Sequence, residues 1–431
     1  MRGGVSNPTP YGMLVLGLGS ATSRSAGPRP GVVRHGRFER AKGAAMRRRD
    51  DLTFPMDEYD GRLTALRRRL YERQLDAMLV TTPENVTYLT GFESPGHYWF
   101  MGLLVPVDGE PICVARALEC PGVEVDTWLE HVWPYGDSDE PMQRVGEALD
   151  ALGLRGMRVG YERDCWFFTA SQQDRLFGIA ADVAWIDASL VVEQGRLIKS
   201  EREIALMREA ATAAAAGMRA GIEHTVAGTT EDEIAAQIHL AMIRAGSEWP
   251  AIAPFVAAGE RGAIGHATWR GRRVSAGDPV FLELAGCRRR YHAALLRTVF
   301  VGEPGPLVRE AFDVVTDAFD AAVAAIAPGV AAGEVDRVAR AVIAGSAFGG
   351  VQASRTAYSI GIALPPDWGE GQILSMKPGE TRPLEANMTF HLLPWVQIPG
   401  VGAIGCTETV RVTASGCEAL TQGVSRALLI A

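Results

Sequence analysis

A pair of β-strands with a single acid in its apolar pattern constrains this chain more than any other feature. The stretch Val280-Phe281-Leu282-Glu283-Leu284-Ala285-Gly286 is followed by Tyr291-His292-Ala293-Ala294-Leu295-Leu296-Arg297-Thr298, and the two read as neighbouring strands of one sheet. Only alternate residues of a strand point to one face. An inward Glu283 therefore takes Phe281 and Ala285 with it. On the second strand His292, Ala294 and Leu296 share a face. Alternation thus gives Glu283 and His292 each a fixed face within its own strand.

At 431 residues the chain has room for two or three domains. A net charge of −8 argues against general nucleic-acid binding, which leaves a basic footprint. The six cysteines are scattered, without a C-x-x-C pair, and read as free thiols of a reducing cytoplasm rather than a disulfide framework. No apolar run reaches the roughly 18 to 20 residues that span a bilayer. Residues 1–55 hold a short apolar run, Tyr11 to Leu18, then a Gly-, Pro-, Ser- and Arg-rich segment. They read as a disordered extension.

From Met56 the pattern is that of two domains, each either α/β or α+β. Leu63, Leu66, Leu70 and Tyr71 recur at helical spacing over Tyr59 to Gln74, and Asp76 to Val80 reads as a buried strand. Alternating strands and helices continue to about Ile186, so residues 56–195 form a small α/β domain. Ser200 and Glu203 make a capping box that opens a helix continued by the run Ala210 to Ala216. Thr229-Thr230-Glu231 opens another. Two further helices, from about Pro306 to Ile326 and from Glu334 to Ala347, precede a strand-rich end of a second domain spanning 196–428.

Several segments, in order, carry a resemblance. Pro83-Glu84-Asn85-Val86-Thr87-Tyr88-Leu89-Thr90-Gly91-Phe92 is similar to a segment of creatinase and prolidase N-terminal domains. Arg196-Leu197-Ile198-Lys199-Ser200 is similar to the join that follows it, and the strand pair at 280–298 to the strands that carry metal ligands. Over roughly residues 56–421 the chain resembles the pita-bread family of aminopeptidase P, prolidase, methionine aminopeptidase and creatinase. Tyr358-Ser359-Ile360-Gly361 with Pro365-Pro366-Asp367-Trp368-Gly369-Glu370, the segment Glu283 to Thr298, and Asn387 to Pro394 look most like ectoine hydrolases. The resemblance implies an α+β protein of two domains, a creatinase-like N-terminal domain and a pita-bread catalytic domain, in which the strand pair turns Glu283 and His292 to one cavity.

In the metal-binding members two aspartates, a histidine and two glutamates hold two metal ions. Matched residue by residue, those positions here hold Glu283, Ala294, Tyr358, Leu393 and Thr407, with Glu408 next to the last. Alanine and leucine have no donor atom, so no metal and no other cofactor is expected. His266, in Gly265-His266-Ala267-Thr268-Trp269, matches the histidine that serves creatinase as general base. An unperturbed imidazole titrates near neutrality and suits that task. The resulting catalytic candidates are His266, Glu283, His292 and Glu408. The substrate-binding candidates are Tyr358, Asp367, Glu370, His391 and Trp269. Arg297 reads as structural, and Cys287 lacks a base in adjacent register.

With these residues, the resemblance to ectoine hydrolases and creatinase implies a metal-independent hydrolase of a non-peptide C–N bond in a small amino-acid-like amidine or guanidine compound. An Xaa-Pro metallopeptidase and a catalytically inactive binding protein of the same fold are the alternatives. The expected partners are a small-molecule substrate and, by family resemblance, a second copy of the chain, with the aromatic segment Gly96 to Phe100 near a pocket. Neither nucleic acid nor membrane is expected.

Overall fold

A computed structural model describes residues 49–349 and 354–431. Its N-terminal part is built on six strands, β1 (Ala77–Val80), β2 (Gly102–Pro106), β3 (Ile112–Arg116), β4 (His131–Tyr135), β5 (Arg158–Tyr161) and β6 (Ala184–Asp187), in the order β4-β3-β2-β1-β5-β6. The apolar run of β1 is continuous because both faces of this sheet are covered. Met78 and Val80 pack with Leu63, Leu66 and Leu70 of the helix Met56–Glu72. Ala77 and Leu79 pack on the opposite side with Met142, Val145 and Leu149 of the helix Pro141–Ala151.

The segment before that first helix corrects the sequence reading. Phe54 is 5% exposed and lies edge-on to Tyr59 and Tyr291, both at 6.0 Å, while the Arg62 guanidinium sits 4.5 Å from its ring centre. Burying a phenylalanine stabilises by about 1.5–3 kcal/mol. Residues 49–55 therefore belong to the fold and not to a disordered extension. The rest of that expectation, residues 1–48, lies outside the described residues.

The second part opens with the helix Glu201–His224. Ser200 accepts from Glu203 N at 3.2 Å and Glu203 accepts from Ser200 N at 2.7 Å, which is the capping box the sequence predicts. The ten-stranded sheet behind it consists of β7 (Phe255–Ala258), β8 (Pro279–Arg288), β9 (Tyr291–Phe300), β10 (Ala357–Ser359), β11 (Ser375–Met376), β12 (Thr389–Leu392), β13 (Trp395–Ile398) and β14 (Gly402–Val412), with β15 (Cys417–Ala419) on β14 and β16 (Leu429–Ile430) on β9. Their order is β11-β10-β12-β14-β9-β8-β7, with β13 paired to β14. Leu282, Leu284 and Leu295 pack against Ala214 and Met218 of the long helix. Ala357, Phe390, Leu392 and Val410 pack against Phe319 and Val335 of the helices Pro306–Ala325 and Ala332–Ala344. The helix meets β8 so closely that a Cβ on Gly286 would lie 2.0 Å from the Ala210 carbonyl oxygen. The small residues at 210–216 and 286 are what permit that approach.

Buried polar contacts join the two parts. Glu370 pairs with Arg196 at 2.6 Å and with Lys199 at 2.9 Å, all three almost fully buried. Arg196 also donates to Asn85 Oδ1 and to the Ile362 carbonyl. Leu364 N donates to Glu84, and His97 Nε2 donates to the Pro365 carbonyl at 3.0 Å. All six cysteines are free. Among the described residues no helix is long and apolar enough to cross a membrane.

Candidate active site

Because Leu282, Leu284 and Leu295 turn toward the helices, their neighbours turn the other way. The strand pairing sets one row across four strands on that face: Phe255 opposite Glu283, Glu283 opposite Leu296, and Leu296 opposite Thr407. Directly opposed residues project to the same side of a sheet. A second row runs from Tyr358 to His391 to Thr409. Glu283 and Thr407 therefore share a face with Tyr358 and His391.

Glu283 is half-buried, and its carboxyl makes no hydrogen bond to another described residue. Burial, and then the nearby Asp367 carboxylate, push its carboxyl up to about 8. Asp367 is exposed and accepts from Gly369 N at 3.1 Å. The Tyr358 phenol is held well above its ordinary value by burial and then by Glu283, which places these two groups in one electrostatic neighbourhood. Trp368 Nε1 donates to the Tyr358 oxygen at 2.8 Å. That oxygen lies 2.8 Å from His391 Nδ1, and His391 Nε2 lies 2.6 Å from Thr407 Oγ1. Burial, assisted by the Arg355 cation, lowers the His391 imidazole to about 3, so it is neutral at physiological pH.

His266 stands at the open side of this arrangement. It is exposed, has φ +61°, and its ring lies 5.5 Å from that of Phe255. Phe255 in turn lies 5.5 Å from Trp368. Histidine tolerates this left-handed backbone better than a branched residue does. The loop thus sets an imidazole over the aromatic edge of the site, beside the row that carries Glu283.

The other predicted residues are placed elsewhere or are already engaged. His292 has the inward register, but its Nδ1–H donates to the Arg290 carbonyl and its Nε2 accepts from Ala251 N, at 2.8 and 3.0 Å. With both nitrogens satisfied and burial pushing it down to about 3, it holds backbone segments together rather than moving protons. Glu408 projects to the opposite side, where it pairs with Arg297 and accepts from Thr421. Glu370 is committed to Arg196 and Lys199. Trp269 packs edge-on against His239, 5.9 Å away, beside the helix Glu231–Arg244. Cys287 is buried, its thiol pushed up to about 12.

Phe255, Trp368 and Arg355 complete the site and were not singled out by sequence reasoning. Trp368 lies in the Pro365-Pro366-Asp367-Trp368 segment, which gave its signal. Phe255 becomes visible only through the pairing of β7 with Glu283. Arg355 lies 4.5 Å over the Tyr358 ring and has no carboxylate partner among the described residues. The family's metal pair does not fit this donor set. Of the five corresponding positions only Glu283 carries a carboxylate, and among the described residues no three His, Cys, Asp or Glu side chains gather as a metal site.

Comparison with known proteins agrees with this architecture. The description Creatinase/Prolidase N-terminal domain matches residues 62–198, and Metallopeptidase family M24 matches residues 205–414. The chain is 33% identical over 383 residues to an uncharacterized hydrolase/peptidase, y4tM, of Sinorhizobium fredii, covering 86% of this chain and 97% of that one. It is 30% identical over 392 residues to an ectoine hydrolase of Halomonas elongata, covering 86% and 96%. A crystal structure of the dipeptidase PepE from Mycobacterium ulcerans superposes with a TM-score of 0.76 at 26% identity, covering 88% and 99%.

Proposed function

From the premise that this chain belongs to metallopeptidase family M24 and is a hydrolase of that family, we propose that it cleaves a non-peptide C–N bond in a small amino-acid-like amidine or guanidine compound without a metal. The observation that carries this reading is the exchange at the five ligand positions. One carboxylate, Glu283, stays on the site face; Tyr358 and Thr407, linked through His391, stand at two of the other positions, and Ala294 and Leu393 at the last two have no donor atom. An amidinium carbon is already electrophilic and needs no Lewis acid. Glu283 faces the cation. Water adds through its oxygen to the amidinium carbon while His266 takes one of its protons; His266 passes that proton to the leaving nitrogen as the C–N bond breaks, and the adduct's hydroxyl proton follows it there as the C=O bond forms. The similarity to an ectoine hydrolase makes ectoine, itself a cyclic amidine, the first substrate to test.

The test is turnover of ectoine, creatine and Xaa-Pro dipeptides by protein purified without added metal, with and without chelator. Hydrolysis of an amidine or guanidine, unchanged by chelator and with less than one equivalent of transition metal per chain, is the expected result. Chelator-sensitive dipeptide cleavage with two bound metals per chain overturns it.

The working unit in this proposal is a homodimer. Tyr98 and Trp166 are 65% and 75% exposed, on the part of the chain that His97 ties to the site loop at Pro365. Exposed aromatics grouped in this way favour association. Sedimentation at micromolar concentration should show a dimer, and a fully active monomer removes the idea.

A further inference from the structure

The chain Trp368–Tyr358–His391–Thr407 brings more protons than links. An indole N–H, a phenol, a neutral imidazole and a threonine hydroxyl supply four protons to three contacts of 2.8, 2.8 and 2.6 Å. One hydroxyl proton is therefore left without an acceptor among the described residues. The phenol is the stronger donor of the two hydroxyls, and an imidazole nitrogen is a good acceptor. Tyr358 thus donates to Nδ1, the Nε2–H donates to Thr407, and the spare proton is the one on Thr407. Buried hydroxyls are rarely left unpaired, so a spare donor on a site face marks a place for a ligand atom.

We propose that Thr407 donates this hydrogen bond to the carboxylate of a zwitterionic substrate whose cationic end faces Glu283. The cation half rests on the amidine reading above; the carboxylate half rests on the hydrogen-bond chain. Glu283 and Thr407 pair with Leu296 from its two sides. Their Cα atoms are thus two strand spacings, about 10 Å, apart, and both side chains project into the same space. A zwitterion of amino-acid size, lying over the Leu296 side chain that separates them, would reach from one to the other. The charges are arranged the same way. Asp367 stands near Glu283, whereas the Arg355 cation, without a carboxylate partner among the described residues, covers the Tyr358 ring and acts on His391. Tyr358 and His391 are positioning residues: they orient the Thr407 hydroxyl.

The experiment compares the parent with Thr407→Val and Thr407→Ser. Its probes are ectoine, acetamidine (the cation without a carboxylate) and the dipeptide Gly-Pro. Thr407→Val should weaken ectoine binding roughly 10- to 100-fold by calorimetry, leave acetamidine binding unchanged, and be rescued by serine. Equal loss for ectoine and acetamidine, or no loss, overturns the assignment, as does a parent that binds none of the three. A parent that ignores amidines but cleaves Gly-Pro sinks the amidine reading alone; Thr407 is then read through KM for the dipeptide, whose carboxylate takes the same place. Nitrogen NMR of the parent gives an independent check. It should show His391 as the Nε2–H tautomer, and the opposite tautomer overturns the role of Thr407 by moving the spare proton to Tyr358.

Discussion

Replacing Glu283 by glutamine should lower kcat/KM for the substrate by at least about 10²-fold. The same change should abolish a rise of kcat/KM with pH that the parent shows through about 8. The reason is the environment of the carboxyl. Burial and then Asp367 raise it to about 8 from an ordinary 4.5, so the free protein at neutral pH holds it largely protonated. A cationic substrate needs the anion, and kcat/KM reports the ionisation of the free enzyme. The split between constants identifies the role. A carboxylate that only pairs with the cation loses mainly KM, whereas one that attacks the carbon loses kcat. Stability carries the same signature. A folded carboxyl raised above its unfolded value gives stability that is present below 4.5 and is lost as pH climbs toward 8. The glutamine variant should therefore gain on the parent between about pH 5 and pH 9 in denaturant titrations. A variant with parental kcat/KM and an unaltered pH profile places the chemistry elsewhere.

Loss of the Glu370 carboxylate is expected to be the most damaging single change to stability. Burial alone would push this carboxyl up, but Lys199 and Arg196 together pull it below its ordinary value. Glu370→Ala leaves two cations without their anion in the interior. Breaking a buried pair in this way costs about 3–5 kcal/mol. Because the folded pKa is depressed, the contribution is present above the unfolded value of 4.5 and disappears as pH falls through the folded one. Urea unfolding at pH 7 should show the full loss and a smaller one in acid. A loss below about 1 kcal/mol at pH 7 rules out this account.

Much of the architecture was legible because its signals are local. The capping box at Ser200 and Glu203, the helical spacing of Leu63, Leu66 and Leu70, and the alternation in β8 and β9 each arise from neighbours in sequence. Counting gave Glu283 and His292 a fixed face within their own strands, and the family resemblance supplied their common cavity and the position of Thr407; neither could show that Arg290 and Ala251 had taken both nitrogens of His292. Glu370 sat in the right segment and turned to Arg196 and Lys199, 174 and 171 positions away, and Trp269 turned to His239; such distant partners leave no local trace. Phe54 was grouped with a polar tail, since one aromatic in seven residues does not reveal that Tyr291 and Arg62 wait for it.

The contacts on the stretch from Ile362 to Pro365 bear on modularity. Arg196, Glu84 and His97, from the N-terminal part and the join, hold three of these four residues. Asp367 and Trp368 follow immediately, and Trp368 begins the hydrogen-bond chain that ends at Thr407. The N-terminal part is thus a template that holds the backbone of this loop and leaves its side chains free to vary. A chimera that exchanges this part between relatives should keep the loop in place when the incoming part supplies polar groups where Arg196, Glu84 and His97 stand.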